Sequence, residues 1–382
     1  MIMQSILNNF KDIPTPFYYY DLNVLRSTLN ILKKESENYG YKIHYAIKSN
    51  HNPRILKTIS SYGFGADCVS GNEIAAAIEA GFDPSEIVFA GVGKTDKEIE
   101  LALNAGIFCF NCESMPEIEV INALAAQQNK LARIALRINP NVDAHTHKYI
   151  TTAVEESKFG INITDLDEVV SKLGELKNVK LTGMHFHVGS QITKMSVFKD
   201  LCTKLNELQQ WFSSKGIFLE AVNVGGGLGI DYENPSKFPP FEEYFSLFKE
   251  HIKLLPGQTL HIEPGRSISG QCGSLISRVV FVKKSNSTQF AIIDAGMTDL
   301  IRPALYQAHH KIENLSSKGT LCRYDVVGPV CESSDVFAKS IELPETQRGD
   351  IIAIRSAGAY GEAMASRYNL RNLPASYFSD DF

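Results

Sequence analysis

Apolar residues along the chain come in short β-rich runs, each followed by a stretch with helical spacing. The runs KIHYAIK (42–48), FGADCVS (64–70), EIVFAG (86–91) and IFCFNC (107–112) read as strands. So do ARIALRINP (132–140), KLTGMHFHVG (180–189), LEAVNVGGG (219–227) and TLHIEPGR (259–266). Helix signals lie between them. Thr95 with Glu98 three residues on is a capping box ahead of IELALNAG, whose Gly106 is a stop signal. Asn72-Glu73 precedes the alanine-rich IAAAIEAG. Over 196–216, Leu201, Leu205, Leu208 and Trp211 recur at helical spacing. Eight strands alternating with helices over about 240 residues predict a (β/α)8 TIM-type barrel. Periodicity alone leaves an open doubly wound sheet as the alternative.

Past residue 268 the rhythm changes. SLISRVVFVKK, QFAIIDAGM, TLCRYDVVGPV and GDIIAIRSAGAY read as strands joined by turns, with little helix between them. PTPFYYYDLNVL (14–25) is strand-like and has the pattern to pair with them, which would bring the two chain ends together. The pattern therefore predicts a barrel over 28–267. It also predicts a mostly-β domain from 1–27 and 268–382.

Composition narrows the class. Of 382 residues, 44% are hydrophobic and 21% charged, an ordinary globular balance that excludes disordered, collagen-like and coiled-coil chains. Lys plus Arg number 38 and Asp plus Glu 43, a net charge of −5, which argues against binding nucleic acid through phosphate neutralisation. No run approaches the roughly 18 apolar residues of a membrane helix. The opening MIMQSILNNFKD lacks the basic-then-apolar pattern of a secretory signal. Seven cysteines, an odd number in a long chain, point to reduced thiols and a cytoplasmic setting. Cys109 and Cys112 form a CxxC with no second pair or nearby histidine. They read as packing, so no metal site is expected.

In a barrel, chemistry gathers at the carboxyl ends of the strands. Those ends carry Lys48, Asp67, Arg137, His187, Gly189, Ser190, Gly225 to Gly227 and Glu263 to Arg266. Lys48 closes a largely apolar strand. A partly desolvated ammonium has a lowered pKa, which suits Schiff-base chemistry, although a surface lysine is the plainer alternative. The glycines at 225–227 and the Gly189-Ser190 pair let backbone N–H groups approach a phosphate, or simply make tight turns. Glu263 can keep a ring nitrogen protonated and Arg266 can meet a phosphate or carboxylate bidentately. His187 can stack on an aromatic cofactor or make a structural hydrogen bond.

YAIKSN, ADCVSGNE, HFHVGSQ, NVGGGLGI, EPGRSI, RPALY, GPVCESSD and GAYGEAM occur in this order from residue 45 to 364. With these motifs the chain resembles the fold-type III pyridoxal phosphate-dependent decarboxylases, and among them the diaminopimelate decarboxylases. The resemblance implies a pyridoxal 5′-phosphate-binding barrel plus a C-terminal β domain. It implies that Lys48 carries the cofactor, His187 stacks on its ring and Glu263 pairs with the ring nitrogen. Asp67 would support the lysine. Ser190, Gly227, Gly265, Arg266 and Tyr360 would hold the phosphate or neighbouring atoms. Cys331 would be the proton donor, acting from the other subunit of a homodimer with shared active sites. Protonating the α-carbon on one face is work that a thiol can do.

Arg266, Arg302, Tyr306, Glu332 and Tyr360 match the family's substrate contacts. Diaminopimelate carries an amino acid head at each end, so its far end needs a cation for the carboxylate and an anion for the ammonium. An ornithine-type enzyme meets only a distal ammonium and has no use for Arg302; it also carries an aspartate directly after the cysteine, where this chain has Glu332. Asp335 keeps the later acid of that motif. Ala153 and His310 depart from the commonest pattern. The implied reaction is decarboxylation of meso-2,6-diaminopimelate to L-lysine, the last step of lysine biosynthesis. An ornithine- or arginine-type enzyme and a carboxynorspermidine decarboxylase are alternatives. A racemase would want a tyrosine opposite Lys48 where this chain has Cys331. A partner-binding homologue without catalysis would not need Lys48, His187, Glu263 and Cys331 together.

Overall fold

The computed structural model describes residues 4–140 and 158–382; Ala153 lies outside the described residues. The chain divides into two compact units. One comprises Leu29–Gly229 and Pro240–Gly265; the other comprises Met1–Thr28, Ile230–Pro239 and Arg266–Phe382. Segment 230–239 sits with the second unit. A loop that leaves a strand end has no period to announce where it goes.

Strand β1 (Phe17–Tyr20) belongs to the second unit, and the barrel strands follow it in the chain. They are β2 (Lys42–Ala46), β3 (Gly65–Cys68), β4 (Ile87–Phe89), β5 (Cys109–Cys112) and β6 (Ala132–Asn139). A two-residue strand β7 (Ile161–Asn162) pairs with the end of β6. Then come β8 (Val179–His185), β9 (Ala221–Asn223) and β10 (Thr259–Ile262). Every neighbour pairs in parallel, in the order β2, β3, β4, β5, β6, β8, β9, β10. β10 returns to β2, so the ring closes. The open-sheet alternative is thereby removed. The strands are buried on both faces, which is why they read as continuous apolar runs rather than alternating ones.

The helices between them start and stop largely where their caps dictate. Before helix Asp96–Ala105, the Thr95 N–H and hydroxyl both donate to Glu98 Oε2, at 3.0 and 2.8 Å, and Gly106 ends the helix at φ 68°. The sequence suggests Asn72-Glu73 as the next start, but the cap is Ser70. Its hydroxyl accepts from the Glu73 N–H at 3.2 Å, while the Glu73 carboxylate accepts from the Val69 N–H at 2.7 Å. In helix Met195–Ser214 the buried stripe runs Leu201, Leu205, Leu208, Phe212. Trp211 falls one position off it, with Lys215 Nζ 5.4 Å from its ring.

The second unit is an eight-stranded sheet. β11 (Gly273–Lys284) is its spine, followed by β12 (Gln289–Ile293), β13 (Ile312–Asn314), β14 (Leu321–Val327), β15 (Val336–Pro344), β16 (Ile351–Ile354) and β17 (Ala375–Phe378). The first half of β11 pairs with β1 and β16, and after a bulge between Val279 and Phe281 its second half pairs with β12. β1 also pairs in parallel with β17, so the first and last strands of the chain lie in one sheet. β13, β15 and β17 carry no clear alternation and escape a reading from sequence. Phe10, Phe17, Tyr19, Ile276, Ile351 and Ala353 form the core beneath β1.

Phe17 lies edge-on to Phe10 at 5.3 Å and to Tyr377 at 5.2 Å and is fully buried. Phe17→Ala should lower stability by about 3–5 kcal/mol in urea unfolding. A loss below about 1 kcal/mol would show that the N-terminal strand lies outside the cooperative unit.

Candidate active site

The barrel's carboxyl ends build a polar layer around one carboxylate. Glu263, just after β10, is buried. Its Oε1 accepts from Asn223 Nδ2 of β9 at 2.7 Å and from Asn111 Nδ2 of β5 at 3.2 Å. Its Oε2 lies 2.9 Å from His185 Nε2 of β8, and since a carboxylate only accepts, that nitrogen carries the hydrogen. Burial alone would raise the Glu263 pKa. The charge and hydrogen bond of His185, with Lys48 and His44 farther off, outweigh it and hold the carboxyl below its ordinary range.

Lys48 stands on a 3₁₀ turn (Ile47–Ser49) directly after β2, and its Nζ donates to Asp67 Oδ2 of β3 at 3.2 Å. Asp67 is 1% exposed, and its Oδ1 has no hydrogen-bond partner among the described residues. Burial raises the Asp67 pKa, the negative Glu263 adds to the rise, and Lys48 pulls it back. His187, two residues beyond His185, accepts from the Gly226 N–H through Nδ1 at 3.4 Å. Burial and the cations Lys48 and Arg137 hold it neutral, well below the ordinary histidine pKa. Arg137 is itself fixed: its Nη1 donates to Glu113 Oε1 at 2.6 Å, and Glu113 Oε2 accepts from the Gly160 N–H at 2.8 Å.

The glycine loop after β9 follows from close backbone approach. A Cβ on Gly225 would lie 2.1 Å from the Phe186 carbonyl oxygen, on Gly226 2.2 Å from that of Glu263, and on Gly227 2.7 Å from that of Gly189. Gly225 and Gly227 also have φ of 70° and 112°, which an L side chain resists. The Gly225 and Gly226 N–H groups are taken by Asn223 and His187. The Gly227 N–H has no partner among the described residues. Gly265 is buried, and a Cβ there would lie 3.1 Å from the Cβ atoms of Ala46 and Ser49, a tight contact. Ser190 is half-buried on the loop after β8.

In the second unit, two buried guanidiniums share one phenol. Arg266 opens a short helix (Arg266–Ser269) rather than ending a strand. Its Nη1 donates to the Tyr232 hydroxyl at 2.6 Å, and Arg302 Nη1 donates to the same oxygen at 2.8 Å. Tyr360 lies over Arg266, ring centroid 4.9 Å from Cζ. Gly358 makes this possible. A Cβ there would fall 2.0 Å from the Ser269 carbonyl oxygen, so the loop lies directly on the short helix. Tyr306 follows Arg302 by one helical turn and is half-buried. Cys331 and Glu332 are exposed. The Cys331 N–H donates to Asn369 Oδ1 at 3.3 Å, and the Tyr368 hydroxyl donates to Glu332 Oε1 at 2.6 Å.

Lys48, Asp67, His187, Gly227 and Glu263 thus gather at the barrel mouth, and Arg266, Arg302 and Tyr360 gather in the second unit. Asn111, His185, Asn223, Tyr232 and His310 take part without having been singled out for it. Two-residue alternation from His187 points to His185, but nothing in GIDYEN marks Tyr232. Cys109 and Cys112 are buried within β5, and no group of three or more metal-ligating side chains occurs among the described residues.

Residues 24–270 match the family model described as pyridoxal-dependent decarboxylase, pyridoxal binding domain. The chain is 57% identical to a diaminopimelate decarboxylase of Bacteroides thetaiotaomicron, over 98% of each chain. It is 41% identical to one of Aquifex aeolicus, over 94% of this chain and 84% of that one. The crystal structure of diaminopimelate decarboxylase from Helicobacter pylori complexed with L-lysine superposes with a TM-score of 0.93 at 39% identity, covering 99% of this chain and 94% of that one.

Because Glu263 has a lowered pKa when folded, its stabilising effect is full above the unfolded carboxyl value of about 4.3 and fades as pH falls through the folded value. Glu263→Gln should therefore be less stable than the parent at pH 7, and the gap should close in acid. Urea midpoints across pH measure this; a gap independent of pH would contradict it.

Proposed function

The chain belongs to the pyridoxal-dependent decarboxylase family, and from that premise we propose that it removes the carboxylate at the D-configured centre of meso-2,6-diaminopimelate, giving carbon dioxide and L-lysine. The observation that carries the substrate assignment is Arg302, a buried cation in no ion pair among the described residues. A substrate with a distal carboxylate supplies the missing anion; ornithine and arginine do not.

The barrel mouth fits pyridoxal 5′-phosphate. Among the described residues Asp67 Oδ1 is buried without a partner and the Gly227 N–H is uncommitted, and Cβ atoms at 225–227 would collide with backbone. Once bound, the cofactor supplies an electron sink for the pair left on carbon when the carboxylate departs. Lys48 presents the amine that would hold its aldehyde, and Asp67 keeps that amine in place. Neutral His187 offers a flat face to the ring without adding positive charge. Glu263 would keep the ring nitrogen protonated: three protein donors hold its carboxylate and leave it room to accept once more. Ser190, Gly227, Gly265, Arg266 and Tyr360 would hold the phosphate or neighbouring cofactor atoms.

Around the substrate, Arg302 and Tyr306 meet the distal carboxylate, Glu332 meets the distal ammonium, and Arg266 and Tyr360 complete the contacts. As carbon dioxide leaves, the Cys331 Sγ–H delivers a proton to the α-carbon, and solvent restores the thiol. Cys331 and Glu332 act from the partner subunit of a homodimer. Their exposure supports this, as does the neighbouring Leu370, 96% exposed on a backbone held at positive φ. Buried apolar area is the ordinary reason for such a side chain at a surface. Seven free cysteines support a cytoplasmic setting. No helix among the described residues is long and apolar enough to cross a membrane.

Purified protein with pyridoxal phosphate should release carbon dioxide and lysine from meso-diaminopimelate. In the same panel ornithine, arginine, carboxynorspermidine and alanine should be slow; brisk turnover of one of these instead of meso-diaminopimelate would overturn the assignment. Lys48→Ala should abolish both turnover and the visible absorbance of bound cofactor. Lys48→Ala and Cys331→Ala proteins, each inactive, should on mixing regain about a quarter of the parent activity if each site draws on both subunits of a two-fold dimer. No regain would exclude shared sites.

A further inference from the structure

Both hydrogens of Arg302 Nη1 are committed. One goes to the Tyr232 hydroxyl at 2.8 Å and the other to His310 Nε2, also at 2.8 Å. Nε is buried without a partner, and no hydrogen bond engages Nη2 among the described residues. Nε–H and Nη2–H point the same way and form the side-on edge of the guanidinium, which meets a carboxylate with two parallel hydrogen bonds. The protein has occupied the nitrogen outside that fork and left the fork open.

His310 can do this in one protonation state only. Its Nδ1 lies 2.9 Å from the Arg355 carbonyl oxygen, which only accepts, so Nδ1 carries the hydrogen and Nε2 the lone pair. The ring is 2% exposed and stands edge-on to Tyr232, centroids 5.0 Å apart at 79°. Burial, and then the adjacent Arg302 cation, pull its pKa down to about 3, so the lone pair persists at neutral pH. A second cation at this distance from a buried guanidinium would be unfavourable.

We propose that His310 is a positioning residue. By accepting from Nη1 it fixes the rotation of the Arg302 guanidinium and presents the Nε–Nη2 edge to the substrate's distal carboxylate, so that selectivity for a doubly carboxylated substrate depends on an imidazole that never touches it. This rests on the function proposed for Arg302 above.

The test uses the holoenzyme and two competing ligands: L-lysine, which keeps the distal carboxylate, and cadaverine, which lacks it. His310→Phe keeps ring volume and removes the acceptor; His310→Gln restores an acceptor oxygen. His310→Phe should raise KM for meso-diaminopimelate and the inhibition constant of L-lysine by about tenfold or more, the worth of one charged hydrogen bond. It should leave kcat and cadaverine inhibition nearly unchanged, and His310→Gln should recover most of the loss. Should His310→Phe not fold, His310→Leu serves with the same outcomes. Equal weakening of both ligands, or of neither, would overturn the inference while leaving the reaction intact. A parent enzyme inactive on meso-diaminopimelate would overturn the function itself.

Discussion

A carboxylate in a protein interior must have its oxygens satisfied, and here that requirement ties the barrel together. The donors to Glu263 come from three other strands. β9 is its neighbour in the ring and β8 is one farther, but β5 lies on the opposite side of the ring from β10. The Asn111–Glu263 bond therefore spans the lumen. Such a bond forms only when the sheet is closed and narrow, so the carboxylate's environment measures the closure of the fold. Leaving a buried acceptor unpaired costs about 1–3 kcal/mol, more for a charge, which makes the layer as much a structural element as a chemical one.

The same polar layer separates the roles of its members. Glu263 is held ionised by donors, His187 is held neutral by burial between cations, and Asp67 is buried with one oxygen engaged by Lys48 and one unengaged. Glu263 and Asp67, two buried carboxyls of one layer, acquire opposite tendencies from their surroundings. Glycines let the backbone come close enough for this. Where a Cβ would sit 2.1 to 2.7 Å from a carbonyl oxygen, no other residue preserves the approach.

In the second unit the organising feature is positive. Arg266 and Arg302 converge on the hydroxyl of Tyr232, and Arg302 is braced further by a neutral histidine. Two guanidiniums on one neutral oxygen are tolerable where anions complete them, and a phosphate and a carboxylate are the anions this family's chemistry brings. The arrangement favours arginine over lysine, because only the planar fork can spend one nitrogen on the protein and keep an edge for a ligand.

Periodicity and strand-end chemistry were enough to find the eight barrel strands, the change of rhythm near residue 268, and the residues Lys48, Asp67, His187 and Glu263, because each belongs to a local pattern. Ordered motifs extended this to Arg302, Cys331 and Tyr360. Beyond that reach lay β13, β15 and β17, whose strand character comes from pairing partners distant in the chain, and the excursion of 230–239. So did Asn111, Asn223, Tyr232 and His310. An asparagine or a tyrosine announces nothing by itself; its role is set by which oxygen or guanidinium lies within 3 Å, and only chain closure decides that. The chain's own order determined which chemistry was present. The tertiary structure decided which atoms are spent on one another and which remain for a ligand, since hydrogen bonds between residues 8 to 152 positions apart are invisible until the backbone brings them together.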